Sequence, residues 1–246
     1  MNDDQLLRYS RQIMLPQVDI AGQERLHAAR ILIVGAGGLG TPAAMYHAAA
    51  GVGHLVIADD DDVELSNLQR QLLHHDSDIG SNKAESARAT LGNINPEITV
   101  TAIPARLTSD NLDRETAAAD VVLDCSDNFD TRFAVNRACV THNTPLVSGA
   151  AVRFAGQLSV YDRRDSNSPC YRCLYDEGVE TEETCAENGV LAPIVGIIGT
   201  LQALEAMKLL LSIGSEMSGR LLLFDGLTQE WRSLTLARDP ACPVCG

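Results

Sequence analysis

Residues Arg30 to Gly40 read RILIVGAGGLG. An apolar run of four residues, Ile31 to Val34, cut off by glycines, predicts a buried strand rather than a helix. Gly35, Gly37 and Gly40 fit the spacing G-x-G-x-x-G, and TPAAMYHAAAGVG (41–53) continues as an alanine-rich helix. Strand, glycine turn and helix start, in that order, make a phosphate cradle, because absent side chains let backbone N–H groups and the helix N-terminus meet an anion. Gly38 adds another point where backbone can approach a ligand.

Downstream, the same alternation repeats. HLVIADD (54–60) is a second buried strand and SNKAESARATLGNIN (81–95) a helix; EITVTAIPA (97–105) alternates as a strand. SDNLDRETAAA (109–119) reads as a helix with Ser109 or Asp110 as N-cap. ADVVLDCSDN (119–128) ends a fourth strand at a polar turn, TRFAVNRACVTHN (131–143) is a helix and TPLVSGAAV (144–152) a strand. Strands alternating with helices predict a Rossmann-like α/β fold, a mostly parallel sheet with helices on both faces. The pattern then changes: QLSVYD (157–162), an apolar helix near 191–213, and GRLLLFDG and EWRSLTLARD predict a smaller C-terminal part with antiparallel strands. The reading is one domain over 1–246, with a nucleotide-binding half to about residue 150 and a second half beyond it.

Composition excludes several classes. A formal charge of -14 over 246 residues repels nucleic acid and anionic membranes. The polar, acidic start MNDDQLLRYSRQ fits no signal peptide, and no run approaches the roughly eighteen apolar residues of a membrane span. The longest apolar stretch carries Pro193, Gln202, Glu205 and Lys208, so a buried helix in a cytoplasmic protein is expected.

Residues 59–71 read DDDDVELSNLQRQ. Asp59 ends the second strand, where a carboxylate can accept hydrogen bonds from ribose hydroxyls. Asp60 to Asp62 then fall in the exit loop, mostly as solvated charges. Ser66 is expected to cap the next turn, with Asn67 and Arg70 on one face of it. Arg70 and Lys83 offer more cationic donors than the pyrophosphate of a dinucleotide needs. The glycine turn alone also fits an NAD-dependent oxidoreductase.

Cys170-Tyr-Arg-Cys173 and Cys242-Pro-Val-Cys245 are two CxxC pairs that suit four-thiolate Zn2+. Such a site would pin the C-terminal tail to a distant loop; redox dithiols are the competing reading. Cys125 and Cys139 belong to apolar segments, whereas Cys185 sits in the acidic loop EETCAENG. There Glu182, Glu183 and Glu187 disfavour its thiolate.

RYSRQI, GAGGLG, DDDDVELSNLQRQ, the lysine of SNKAESA, DCSDN and the paired CxxC motifs together resemble the ThiF/MoeB/HesA family, bacterial relatives of ubiquitin-activating enzymes. The resemblance covers essentially the whole chain and displaces the oxidoreductase. It implies adenylation, with ATP and Mg2+, of the C-terminal glycine of a ubiquitin-like sulfur carrier, MoaD-type for molybdopterin or ThiS-type for thiamine. VSGAAVRFAGQ and ETCAENGVLAP lean towards MoeB, while ADDDDVELSNLQRQ and Trp231 lean towards ThiF; the balance tips slightly to MoeB. The resemblance also implies Gly38 beside the nucleotide, Asp59 at the ribose, and Asn67, Arg70 and Lys83 at the phosphates. Asp127 would hold Mg2+, with Asn128 near the nucleotide. Arg11 would enter the partner subunit's ATP site of a homodimer, Cys185 would be a candidate covalent link to the carrier, and sulfur would come from a separate donor protein. A non-catalytic scaffold for a ubiquitin-like protein is the alternative of a different class.

Overall fold

The computed structural model describes residues 1–177, 188–214 and 217–246. Strands β1 (Arg30–Val34), β2 (His54–Ala58), β3 (Thr99–Ile103), β4 (Val121–Asp124) and β5 (Leu146–Val152) pair in parallel. Strands β6 (Ala155–Tyr161), β7 (Arg220–Asp225) and β8 (Glu230–Thr235) continue the sheet antiparallel, in the order β3-β2-β1-β4-β5-β6-β7-β8. The expected mixture of parallel and antiparallel strands is present, as one continuous sheet.

The chain winds outward from β1 to β3, then returns to place β4 on the other side of β1. Where the winding reverses, the loops leaving β1 and β4 part in opposite directions and open a crevice at their carboxyl ends. Register keeps the apolar side chains sorted by face. Ile31, Ile33, Leu55, Ile57, Val121 and Leu123 join one core, and Leu32, Val34, Val56 and Val122 join the other. Buried on both sides, these strands need the near-continuous apolar runs seen in the sequence.

The helices, in chain order, are α1 (Asp3–Arg8), α2 (Ser10–Ile13), α3 (Asp19–Ala28), α4 (Gly40–Ala50), α5 (Lys83–Ile94), α6 (Ser109–Ala117), α7 (Phe129–His142), α8 (Tyr171–Leu174) and α9 (Ala192–Leu211). Helices α4, α5 and α9 cover one face, and α6 and α7 the other. Helix α9 is long and apolar enough to cross a membrane by length and composition. It lies instead against α4, β5 and β6, burying Ile194, Val195, Ile198, Ala206 and Leu209. Its polar residues Gln202 and Glu205 are also buried, and both are hydrogen-bonded. Neither Ser109 nor Asp110 caps α6: Thr108 holds the cap position, and the Ser109 hydroxyl is directed to the Asp110 carboxylate instead.

Candidate functional site

The crevice at the switch point is a cleft of about 1130 Å3. Its floor is the glycine turn. Gly35 has φ +98°, and a Cβ there would stand 2.7 Å from the Cys125 carbonyl oxygen. A Cβ on Gly40 would fall 1.9 Å from the Gly35 carbonyl oxygen. Both positions therefore require glycine for the chain to fold back from β1 into α4. Gly35, Gly37 and Gly38 line the cleft, while Gly40 closes the turn behind them.

Asp59 is tied to that turn. Its Oδ2 accepts the Ala36 N–H (2.7 Å) and its Oδ1 the Asp61 N–H (2.9 Å). Burial pushes its pKa above the ordinary carboxylate value, opposed by these N–H groups and by the Lys83 charge. Each oxygen keeps a lone pair for a ligand hydroxyl.

The acidic run is less uniformly solvated than expected. Asp60 and Asp61 line the cleft, whereas exposed Asp62 does not. Asp61 Oδ2 accepts from Lys83 Nζ at 2.7 Å. Asn82 secures this arrangement: its Oδ1 caps α5 through the Ala84 and Glu85 N–H groups, and its Nδ2 donates to the Asp59 and Asp61 carbonyls. Lys83, the first residue of α5, is thereby held in the cleft with 8% of its side chain exposed. One carboxylate oxygen from each of Asp59, Asp60 and Asp61 lies within 4.8 Å of the others, a set able to hold a cation.

The polar run folds differently from its reading. Ser66 is not an N-cap: it lies inside a 3-10 turn, Leu65–Asn67, whose cap position is Glu64. The Asn67 side chain accepts the Glu64 N–H at 3.3 Å, and Ser66 donates to the Glu64 carboxylate. Because these side chains satisfy their own short turn, neither lines the cleft. Arg70 does line it, steadied through Nη1 on the Ser66 carbonyl (3.0 Å). Gln71, buried and beside Gly37, reaches the cleft with its Oε1 unpartnered. No motif marks it, although it closes the polar run 59–71.

Past β4, Asp127 and Asn128 line the opposite wall. Asn128 caps α7 through the Thr131 N–H (2.9 Å) and directs its Nδ2 to Asp127 Oδ1 (3.5 Å). One turn on, the buried Arg132 donates to the Ser126 carbonyl (2.6 Å). Tyr171 and Tyr175, ring centroids 4.8 Å apart, finish this wall, and Tyr175 donates to Gln157 Oε1 (3.0 Å). Arg132 and the two tyrosines carry no motif of their own; Tyr171 stands between the cysteines of the first CxxC pair. Arg11 is exposed on α2 and does not line the cleft of its own chain.

The two CxxC pairs meet. One Sγ from each of Cys170, Cys173, Cys242 and Cys245 lies within 4.8 Å of all the others. The pairs Cys170–Cys242 and Cys173–Cys245 stand 3.7 and 3.5 Å apart, too far for an S–S bond of about 2.05 Å. The Cys170 and Asp239 backbone N–H groups point at Cys173 Sγ and the Asn136 amide at Cys170 Sγ. Donors aimed at sulfur favour thiolates, so the set fits a closed, four-thiolate zinc site. Cys185 lies outside the described residues.

Comparison with known proteins follows the same outline. The model of the ThiF family matches residues 9–244. The sulfur carrier protein ThiS adenylyltransferase of Escherichia coli is 52% identical over 100% of this chain and 97% of its own length. The molybdopterin-synthase adenylyltransferase of Salmonella typhimurium is 49% identical over 100% of this chain and 98% of its own. Among solved structures, Escherichia coli MccB with ATP superimposes with a TM-score of 0.84 at 25% identity, covering 97% of this chain and 73% of that one.

Proposed function

The chain belongs to the ThiF family, and from that premise we propose that it adenylates the C-terminal glycine of a ubiquitin-like sulfur carrier protein. The observation that supports this most directly is the convergence of the glycine turn, Arg70, Lys83 and Asp127 on one cleft. A terminal carboxylate oxygen attacks the α-phosphorus of ATP, the bond to the bridging oxygen breaks, and pyrophosphate leaves with an acyl adenylate as product. No general base is required, since the attacking carboxylate is ionised at neutral pH. The obstacle is repulsion between anions, which fixed donors in a narrow cleft are suited to relieve.

In this reading Asp59 receives the ribose hydroxyls, the turn N–H groups and the α4 N-terminus face the phosphates, and Arg70 and Lys83 neutralise them. Lys83 approaches ATP already paired with Asp61, which fixes where its charge stands. Mg2+, when bound, would supply further neutralisation of the phosphates, held by Asp127. Asn67 joins the phosphate set only by turning out of its present hydrogen bond to Glu64. Arg11, unable to serve its own cleft, is assigned to the partner site of a homodimer. The second half of the chain, from about residue 151, receives the carrier: its Gln157, Tyr175, Leu223 and Phe224 line the far end of the cleft. Zinc belongs to the four thiolates, sulfur to a separate donor protein, and a cytoplasmic location fits this chemistry.

The relatives in the two pathways differ by three points of identity, 52% against 49%, so identity does not separate thiamine from molybdopterin. Carrier-dependent ATP–pyrophosphate exchange with MoaD-type and ThiS-type carriers in parallel decides. Exchange with one names the pathway, and exchange with both identifies a shared activator. Silence with both, from folded protein with Mg2+ present, overturns the enzyme in favour of a scaffold.

A further inference from the structure

Asp124, the last residue of β4, is 1% exposed and forms no salt bridge among the described residues, the buried Arg132 charge acting on it only from beyond ion-pair distance. A buried carboxylate without a direct ion pair is costly, and an apolar residue would fill a strand position at no such cost. Its hydrogen bonds show where it acts. Oδ1 accepts both the Ser126 N–H (3.1 Å) and the Ser126 hydroxyl (2.6 Å), and Oδ2 accepts the Ser148 hydroxyl (2.8 Å) from β5. Gln202 of α9 donates to the Asp124 carbonyl (2.8 Å), anchoring the strand end from the other face. On the far side of Ser126, its carbonyl accepts from the buried Arg132 guanidinium (2.6 Å).

Ser126 is therefore gripped at its N–H and hydroxyl by an anion and at its carbonyl by a cation. That carbonyl shares a rigid peptide plane with the Asp127 nitrogen, so the grip sets the direction in which the chain enters Asp127. Asp127 itself stands exposed in the cleft with one long contact, from Asn128 at 3.5 Å. Its placement is thus set from beneath.

We infer that Asp124 is a positioning residue: through Ser126, clamped on its other side by Arg132, it fixes Asp127 for the metal–nucleotide complex. This rests on the reading of Asp127 as the residue that holds Mg2+ with ATP. Supporting groups of this kind, when lost, lower metal affinity about 10-fold or more. Asn at this position is isosteric but neutral: its oxygen can still accept from Ser126 and its amide donate to Ser148, so what is lost is the charge that strengthens the grip on Ser126.

The test is Mn2+ affinity of the protein–ATP complex, read by electron paramagnetic resonance without any carrier, alongside exchange activity and thermal midpoint. Asp124→Asn is expected to weaken Mn2+ about 10-fold and to lower kcat by a similar factor, with KM for the carrier unchanged. Ser126→Ala, which keeps the backbone N–H, shifts Mn2+ affinity the same way by less, and Ser126→Thr, which keeps the hydroxyl, restores it. The serine pair carries the test if Asp124→Asn does not fold. Wild-type Mn2+ affinity in Asp124→Asn and Ser126→Ala, with activity falling only as the folded fraction falls, overturns the inference alone. A wild-type protein that takes up no Mn2+ with ATP overturns the nucleotide reading as well.

Discussion

At Lys83 an ammonium stands 2.7 Å from the Asp61 carboxylate with 8% of its side chain exposed, and across the cleft Asp127 is open to solvent. The two represent opposite designs. Lys83 is costly to remove for the fold, because its buried stem leaves a space behind; Asp127 and Arg70 can be truncated with little effect on packing. Asp127→Ala and Arg70→Ala are therefore expected to reduce pyrophosphate exchange about 100-fold or more while circular dichroism and the thermal midpoint stay at wild-type values. Wild-type rates from folded Asp127→Ala protein would refute its role. At this scale the sequence places a residue correctly where its position is dictated by its backbone. Gly35 and Asp59 are such cases, fixed by a turn and a strand end. It does so less well where a side chain has a local alternative. Ser66 and Asn67 satisfy their own 3-10 turn, and short polar side chains next to free backbone groups commonly do so.

Among the elements, β1 and α6 are joined at the amino-terminal end of β1, opposite the end that opens on the cleft. Arg30 pairs with the Glu115 carboxylate and donates through Nη1 to the Glu115 carbonyl (3.1 Å), and Arg114 adds a second cation at 3.0 Å. Burial works to raise the Glu115 pKa, but the hydrogen bonds and charges of the two arginines outweigh it and hold the carboxyl below its ordinary 4.5. A depressed folded-state pKa contributes stability that is complete above 4.5 and drains away as pH falls through the lower folded value. Glu115→Gln is expected to lose about 1–2 kcal/mol at pH 7, measured by urea denaturation. Its deficit should shrink below pH 4.5 until the two proteins converge. A deficit independent of pH would assign the loss to packing. Helix and strand identities were legible because hydrophobic periods differ sharply between them; the α6 cap was not, because three adjacent residues can each take the position.

For the molecule as a whole, the thiolate cluster joins the loop around α8 to the last residues of the chain, 72 positions apart at Cys170 and Cys242. Removing one ligand frees that tail and exposes the wall formed by Tyr171. Cys173→Ala is expected to release zinc, measured by a colorimetric chelator, and to lower the thermal midpoint by several degrees, about what 1–3 kcal/mol of lost stability gives. A variant with unchanged metal content and midpoint would refute the zinc assignment. The winding of the sheet brings glycine turn, Asp59 and Asp127 to one crevice from three separate strands, and this much could be foreseen from the motifs in order. The sequence alone determined the α/β class, the glycine turn, the paired thiols and the cations Arg70 and Lys83 beside that turn, since each depends on near neighbours in the chain. Only the tertiary structure decided that Gln71, Arg132, Tyr171 and Tyr175 share the cleft, that Asp61 rather than solvent holds Lys83, and that Asp124 and Arg132 grip Ser126 from opposite sides. Those contacts join residues whose separation is set by packing across the sheet, and no local period or spacing encodes a distance between elements.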